Sequence, residues 1–84
     1  MKHELKIWPE FFEPVLKGVK TFEIRKDDRG YRAGDLLLLR EWSQKDGYTG
    51  REITAHATYL LTGLGLKEGY VVMAIDVLYV KENP

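Results

Sequence analysis

The spacing of apolar residues along the chain changes from a period of two to a helical period and back. Alternation over 3–7 predicts a first strand. A helix is predicted to follow from Pro9, which suits a first helical turn, and Gly18 is a suitable C-terminal cap. Pro14 predicts an irregularity within that short helix. The apolar stripe of the helix consists of Phe11, Phe12, Val15 and Leu16.

After Gly18 the pattern predicts four further strands joined by short connections. These strands cover 20–26, 35–42, 51–61 and 70–80, with a turn at 45–50 and a glycine-rich loop at 63–69. The four consecutive leucines at 36–39 indicate an internal strand with apolar residues on both faces. In the first of the four, Phe22 and Ile24 point to one side of the sheet, opposite Thr21, Glu23 and Arg25.

Alternation in 51–61 also divides that strand between core and solvent. The inward set is Ile53, Ala55, Ala57, Tyr59 and Leu61, and the outward set is Glu52, Thr54, His56 and Thr58. Phe11, Phe12, Tyr59 and Met73 are further predicted core residues. We therefore expect a mainly β, α+β fold in which about five strands and one short helix form a small β-barrel. The alternative is a flat sheet with one face open to water.

Composition restricts the class of protein. The chain has 84 residues, which predicts a single domain over 1–84, and 44% of them are hydrophobic. It contains no cysteine, which excludes disulfides and thiolate metal sites and fits the cytoplasm. Charged residues interrupt every apolar run at the N-terminus, so no signal peptide and no membrane partner are expected.

Charge is concentrated in one segment although the whole chain has a net charge of zero. Residues 17–32 contain six bases and three acids, a local excess of positive charge. Thr21, Glu23 and Arg25 lie in a row on one strand face, and Lys20 can turn towards the same side. This row is typical either of a solvated, salt-bridged sheet surface or of a groove that binds a nucleotide or a short single strand.

The same segment resembles the signature of the ASCH domain, a branch of the PUA-like superfamily. The family's Gly-x-Lys-x-x-Glu-x-Arg stretch matches Gly18, Lys20, Glu23 and Arg25, and its Gly-Asp before the next strand matches Gly34–Asp35. The order of elements agrees over the whole chain, most closely with compact bacterial and phage members. The resemblance implies a PUA-like barrel with a cleft beside the helix that binds RNA or modified nucleotides.

One ASCH branch hydrolyses an acetylated cytidine with a Lys, a Thr and a Glu. The resemblance assigns Lys20 to that Lys, but Glu23 stands where the branch has its Thr, and Thr21 is two residues away from that position. Glu68 is a possible equivalent of the acidic partner. If this chain is an enzyme, Lys20 and Glu23 are its candidate catalytic residues, with Glu23 as general base.

The sequence gives only weak indications of a metal site or of base-stacking aromatic residues. His3 and His56 lie on different predicted strands without clustered carboxylates, so neither a metal site nor a cofactor is expected. Trp8, Tyr31 and Tyr70 are candidates for base stacking, although Trp8 is more simply explained as a contact between helix and sheet.

The favoured function is RNA or nucleotide binding in a cleft built by Lys20, Thr21, Glu23 and Arg25. Arg29, Tyr31 and Arg32, on the following loop, are expected to close over the ligand. The alternatives are an amidohydrolase or nuclease that acts on a modified nucleoside or RNA, and a protein-interaction module that docks through the charged hairpin. An exposed apolar strand face would favour a homodimer.

Overall fold

The strands and the helix follow the predicted order. The structure is a computed structural model that describes residues 1–82. Its elements are β1 (Lys2–Ile7), α1 (Pro9–Leu16), β2 (Phe22–Lys26), β3 (Leu36–Ser43), β4 (Gly47–Leu61) and β5 (Tyr70–Lys81). The prediction of a mainly β fold with five strands and one short helix is confirmed. The fourth strand begins at Gly47 rather than Arg51, because it pairs with β3 directly after the turn.

All five strands belong to one sheet in the order β1-β3-β4-β5-β2. The pair β1–β3 is parallel and the other three pairs are antiparallel. β3 is internal, as its apolar run predicts, and its Leu37 and Leu39 are fully buried. The sheet curls into a half-barrel whose two edge strands, β1 and β2, face each other across a seam.

The long strands bend at two irregularities in the β4–β5 pairing. The register shifts between Thr54 and Ala55 and again between Ala57 and Tyr59. An additional residue on one strand changes which side later side chains face. The prediction that Tyr59 and Leu61 point inward is therefore wrong, and Tyr59 is 65% exposed. Thr54, predicted to face solvent, is also buried, although Ile53, Ala55 and Ala57 keep their alternation on either side of it.

The helix covers the concave side of the half-barrel. Pro9 is at its start, and Gly18 adopts the left-handed conformation (φ +75°) just after its end, as predicted. Phe12 is buried in the core, but the expectation that Phe11 is a core residue is wrong. An eight-residue helix packs only one narrow stripe against the sheet, and Phe11 lies beside that stripe. No helix within residues 1–82 has the length and apolar character needed to span a bilayer.

Strand β2 places its charged side towards the core and its apolar side outward. Glu23 pairs with Met73 of β5 and shares its face, and both residues are buried. Phe22 and Ile24 are on the opposite, exposed face. The alternation predicted for this strand is confirmed, and the sheet directs the charged row into the half-barrel.

Candidate ligand-binding cleft

A cleft of about 520 Å³ opens where the end of β1, the start of α1 and β2 meet. This volume lies within the range of roughly 300–1,000 Å³ that is usual for small-molecule sites. Its lining residues are Lys6, Ile7, Trp8, Phe11, Lys20, Phe22, Glu23, Ile24 and Arg25. The cleft is therefore built around the polar row that the sequence indicates.

The floor of the cleft is a buried carboxylate between two cations. The side chain of Glu23 is only 4% exposed. Lys20 Nζ donates to Glu23 Oε2 at 2.5 Å, and the Nε and Nη2 groups of Arg25 donate to Oε1 at 3.0 and 2.8 Å. One acid and two bases leave this cluster with a surplus positive charge, which suits an anionic ligand.

The floor retains unused hydrogen-bonding capacity. Lys20 has three donors and directs two of them at Glu23 and at the carbonyl oxygen of Phe22. Arg25 uses Nε and Nη2, whereas its Nη1 donates to no group within residues 1–82. Oε2 of Glu23 accepts one bond and has room for a second. The floor therefore presents an acceptor beside donors, and the edge of every nucleobase combines these two types of group.

Exposed aromatic rings form the walls. Trp8, Phe11 and Phe22 are 46%, 45% and 40% exposed, which is high for such large apolar side chains at one place. Lys20 Nζ lies 4.9 Å from the centroid of Phe22 and 5.7 Å from that of Phe11. A flat ligand between these walls would gain stacking area without first displacing a packed core residue.

The helix wall is fixed to the sheet by a second ionic cluster. Arg51 of β4 donates to the buried Glu41 of β3 at 2.8 Å through Nε and Nη2, and its Nη2 also donates to Glu13 of α1 at 2.7 Å. The hydroxyl of Thr49 donates to Glu41 at 2.7 Å. The bonds from Arg51 lower the pKa of Glu41. This cluster holds α1, and hence Trp8 and Phe11, in position beside β2.

Arginine side chains bridge the seam between the two edge strands. Arg25 Nη2 donates to the carbonyl oxygen of Lys6 at 2.8 Å, and Arg29 Nη1 donates to that of Glu4 at 2.8 Å. These carbonyls lie on the edge of β1 opposite its partner β3. A second groove of about 330 Å³ follows the seam and is lined by Glu4, Leu5, Lys6, Arg25, Arg29 and Tyr48. The arginines thus satisfy edge groups that no strand pairs with in the described chain.

Residues 2–75 match the family described as Domain of unknown function (DUF3850). The chain belongs to this family. The match includes every residue that lines the cleft. A relative from Escherichia phage P2, described as an uncharacterized 12.9 kDa protein in the GpA 3'region, is 41% identical over 71 residues. The alignment covers 84% of this chain and 64% of the relative, so the chain spans less than two thirds of the relative's length.

The DUF3850 fold brings together three of the residues predicted for the cleft and separates the other four. Lys20, Glu23 and Arg25 meet at the floor. Thr21 is exposed outside the cleft lining, and its carbonyl oxygen accepts a bond from Ile75 of β5. Arg29 lines the seam groove instead of the cleft.

Tyr31 and Arg32 also lie outside the lining of the cleft. Tyr31 is buried, its ring 4.7 Å from that of His3 in an edge-on contact, and burial raises its pKa. The side chain of Arg32 is exposed, as is Glu68 in the loop between β4 and β5. The ring of Tyr31 and the guanidinium of Arg32 therefore do not lie over the cleft.

The DUF3850 structure also gives positions in the candidate site or buried contacts to residues that the sequence pattern does not single out. Lys6 lies at the junction of the cleft and the seam groove, with its Nζ 4.3 Å from the ring centroid of Trp42. Its position directly before the Ile7–Trp8 pair, at the end of β1, is the only sequence signal. Elsewhere, Nε2 of buried His3 lies 2.8 Å from Oδ2 of buried Asp35, a long-range contact that neither residue's neighbours indicate.

Asp35 begins β3 and organises the preceding loop. Its Oδ2 accepts a bond from the backbone N–H of Arg32 at 3.0 Å as well as the contact with His3. These two bonds lower the pKa of Asp35 to about 2. Across residues 1–82, no group of three or more His, Cys, Asp or Glu side chains is arranged to hold a metal ion.

Proposed function

We propose that this chain is an RNA- or nucleotide-binding domain of the ASCH type, acting in the cytoplasm, with the base held in the cleft beside α1. The observation that carries the proposal is the buried Glu23 carboxylate between Lys20 and Arg25, at the floor of a cleft with aromatic walls. Charge at the floor and stacking surfaces on the walls are the two elements that single-stranded nucleic-acid sites combine.

Each part of the cleft has a role in this proposal. Lys20 and Arg25 donate to base acceptors or phosphate oxygens, and Glu23 orients both cations and offers its remaining acceptor position to an exocyclic amine. A base that stacks on Trp8, Phe11 or Phe22 gains about 1–3 kcal/mol per stacked aromatic. The resemblance of Gly18, Lys20, Glu23 and Arg25 to the ASCH signature supports the same ligand class.

Hydrolysis of the ligand is the competing function, because a lysine and a carboxylate in contact could activate water. The bonding of Glu23 favours binding over this alternative. The carboxylate already accepts three hydrogen bonds from two cations, and a general base must bind the proton that it removes, which would weaken these bonds. Accepting one further bond from an exocyclic amine leaves all three bonds in place. Both functions use the same cleft, so one experiment separates them.

The test is a titration with the four nucleoside monophosphates, acetylcytidine and short single-stranded RNAs, followed by NMR shifts and calorimetry. We expect at least one of these ligands to shift the amide signals of residues 18–25. Trp8→Ala should weaken that ligand roughly tenfold or more, as the loss of one stacking surface predicts. Lys20→Met should weaken it as well, because the methionine keeps the aliphatic stem but removes the charge.

Lys17→Met is the matched control, since Lys17 is an exposed lysine at the end of the same helix and lines neither groove. It should bind like the wild type. A ligand that disappears over hours, with turnover abolished and binding retained in Glu23→Gln, would replace the binding proposal by the hydrolase. Nucleotide binding is refuted if no ligand of the panel shifts the amide signals of residues 18–25. It is also refuted if Lys20→Met and Lys17→Met bind the ligand with equal affinity.

A further inference from the structure

The seam groove continues the cleft along the gap between β1 and β2. The two cavities share Lys6 and Arg25, so a ligand in the cleft that extends in this direction enters the groove. We propose that the seam groove is a second subsite, which binds the phosphodiester and the neighbouring nucleotide of a single-stranded polynucleotide. This inference rests on the proposed function of the cleft and narrows its ligand from a mononucleotide to a strand.

The charge of the groove supports a phosphate ligand. Three cations line it: Lys6, Arg25 and Arg29. Its one acid, Glu4, is neutralised by Arg40, whose Nη1 donates to Glu4 Oε1 at 2.8 Å. A narrow groove lined by an excess of one sign of charge attracts ligands of the opposite sign.

The cations retain donors for a ligand. Lys6 forms no ion pair with a carboxylate within residues 1–82, and its Nζ instead lies over the ring of Trp42. Nη1 of Arg29 donates to the carbonyl oxygen of Glu4. Its Nε is 3.9 Å from Asp28 Oδ1, which is beyond hydrogen-bond distance. The seam contacts therefore fix both guanidinium groups in place while leaving several N–H groups unused, and a preorganised arginine fork matches the geometry of a phosphate.

The groove also offers a surface for the next base. Tyr48 lines it, is 45% exposed, and is held by the guanidinium carbon of Arg40 at 3.9 Å from its ring centroid. Tyr48 also lies close to a cation that both cavities share, since its ring centroid is 5.9 Å from Lys6 Nζ. Stacking surfaces beside cations suit a strand in which bases and phosphates alternate.

The experiment compares ligand lengths on the full chain. Affinities are measured for the four nucleoside monophosphates, the four homohexamer RNAs and their DNA counterparts, at two salt concentrations. At least one hexamer should bind tenfold or more tightly than its own monophosphate. Arg29→Gln should remove most of that gain, leave monophosphate affinity unchanged, and reduce the salt slope for RNA or DNA by about 0.7, the value per phosphate contact on a single strand.

Lys81→Gln controls for loss of one exposed positive charge, since Lys81 lies at the end of β5 and lines neither cavity. Hexamers that bind no more tightly than monophosphates, or an Arg29→Gln effect equal on both lengths, would overturn the second subsite and leave the cleft proposal intact. A hexamer that responds to Arg29→Gln but not to Lys20→Met would overturn the cleft and support the seam. Absence of binding by every ligand would refute both. The DNA series shows whether the strand must be RNA.

Discussion

The half-barrel contains two buried glutamates that look alike in the sequence and differ in their surroundings. Glu23 and Glu41 are each 3% exposed. The carboxylate of each accepts three hydrogen bonds, two from an arginine and one from a further residue. Around Glu41, however, the arginine is shared with a second acid, Glu13. Around Glu23, two cations share one acid.

The difference separates a structural cluster from a candidate binding site. Arg51 is paired with both Glu13 and Glu41, so its positive charge is fully used between helix and sheet. Its guanidinium also packs over the ring of Phe12. Two cations against one acid leave positive charge and unused donors beside exposed aromatic rings. Burial of a charged residue therefore indicates function only when its partners keep hydrogen-bonding capacity that faces a cavity.

The largest expected effect comes from removing the arginine of the structural cluster. Arg51→Met should lower the free energy of unfolding by about 3–5 kcal/mol, because it leaves the charge of buried Glu41 without a cationic partner. Chemical denaturation at neutral pH measures the change. The half-exposed Glu13 provides the control, and Glu13→Gln should cost at most about 1 kcal/mol. A loss for Arg51→Met no greater than for Glu13→Gln would contradict the structural role.

A third buried carboxylate, Asp35, extends the comparison to the pH dependence of stability. Asp35→Asn should reduce the free energy of unfolding at pH 7 by about 1–3 kcal/mol, since it weakens two bonds to an ionised acceptor. The folded pKa of about 2 lies below the unfolded value, so the contribution is full above about pH 5 and is lost progressively as pH falls through 4 and past 2.

Denaturation of wild type and Asp35→Asn between pH 7 and pH 2 tests this expectation. The difference in stability between the two proteins should be constant down to about pH 5 and should fall to a small fraction of that value near pH 2. A difference that persists unchanged at pH 2 would show that shape rather than charge at Asp35 stabilises the loop before β3.

The smallest loss of stability should come from the counterpart of Arg51 in the cleft. Arg25→Met should cost only about 1 kcal/mol, because Lys20 remains paired with Glu23 after the substitution. The same denaturation assay as for Arg51→Met gives a matched comparison of two arginine-to-methionine changes. Equal losses for the two variants would remove the distinction between a structural cluster and a binding site.

The alternation of residues determined more of this fold than of its site. Apolar spacing alone predicted the helix, the five strands and the internal position of β3, because each of these depends on which faces of one element are apolar. It also grouped Glu23 and Arg25 on one side of β2. It failed at Tyr59 and Leu61, since a bulge opposite β5 changes the side that later residues face without altering the composition of the strand.

Tertiary structure alone decided which side of β2 is buried. The sequence presents two self-consistent faces, one apolar and one charged, and the apolar face would ordinarily be expected to pack inward. The pairing of Glu23 with Met73 places the charged face inside, where Lys20 and Arg25 compensate the carboxylate and β1 lies within reach of the arginine. Contacts between residues distant in the chain, such as Arg29 with Glu4 and His3 with Asp35, follow from the curl of the sheet, which no local pattern encodes.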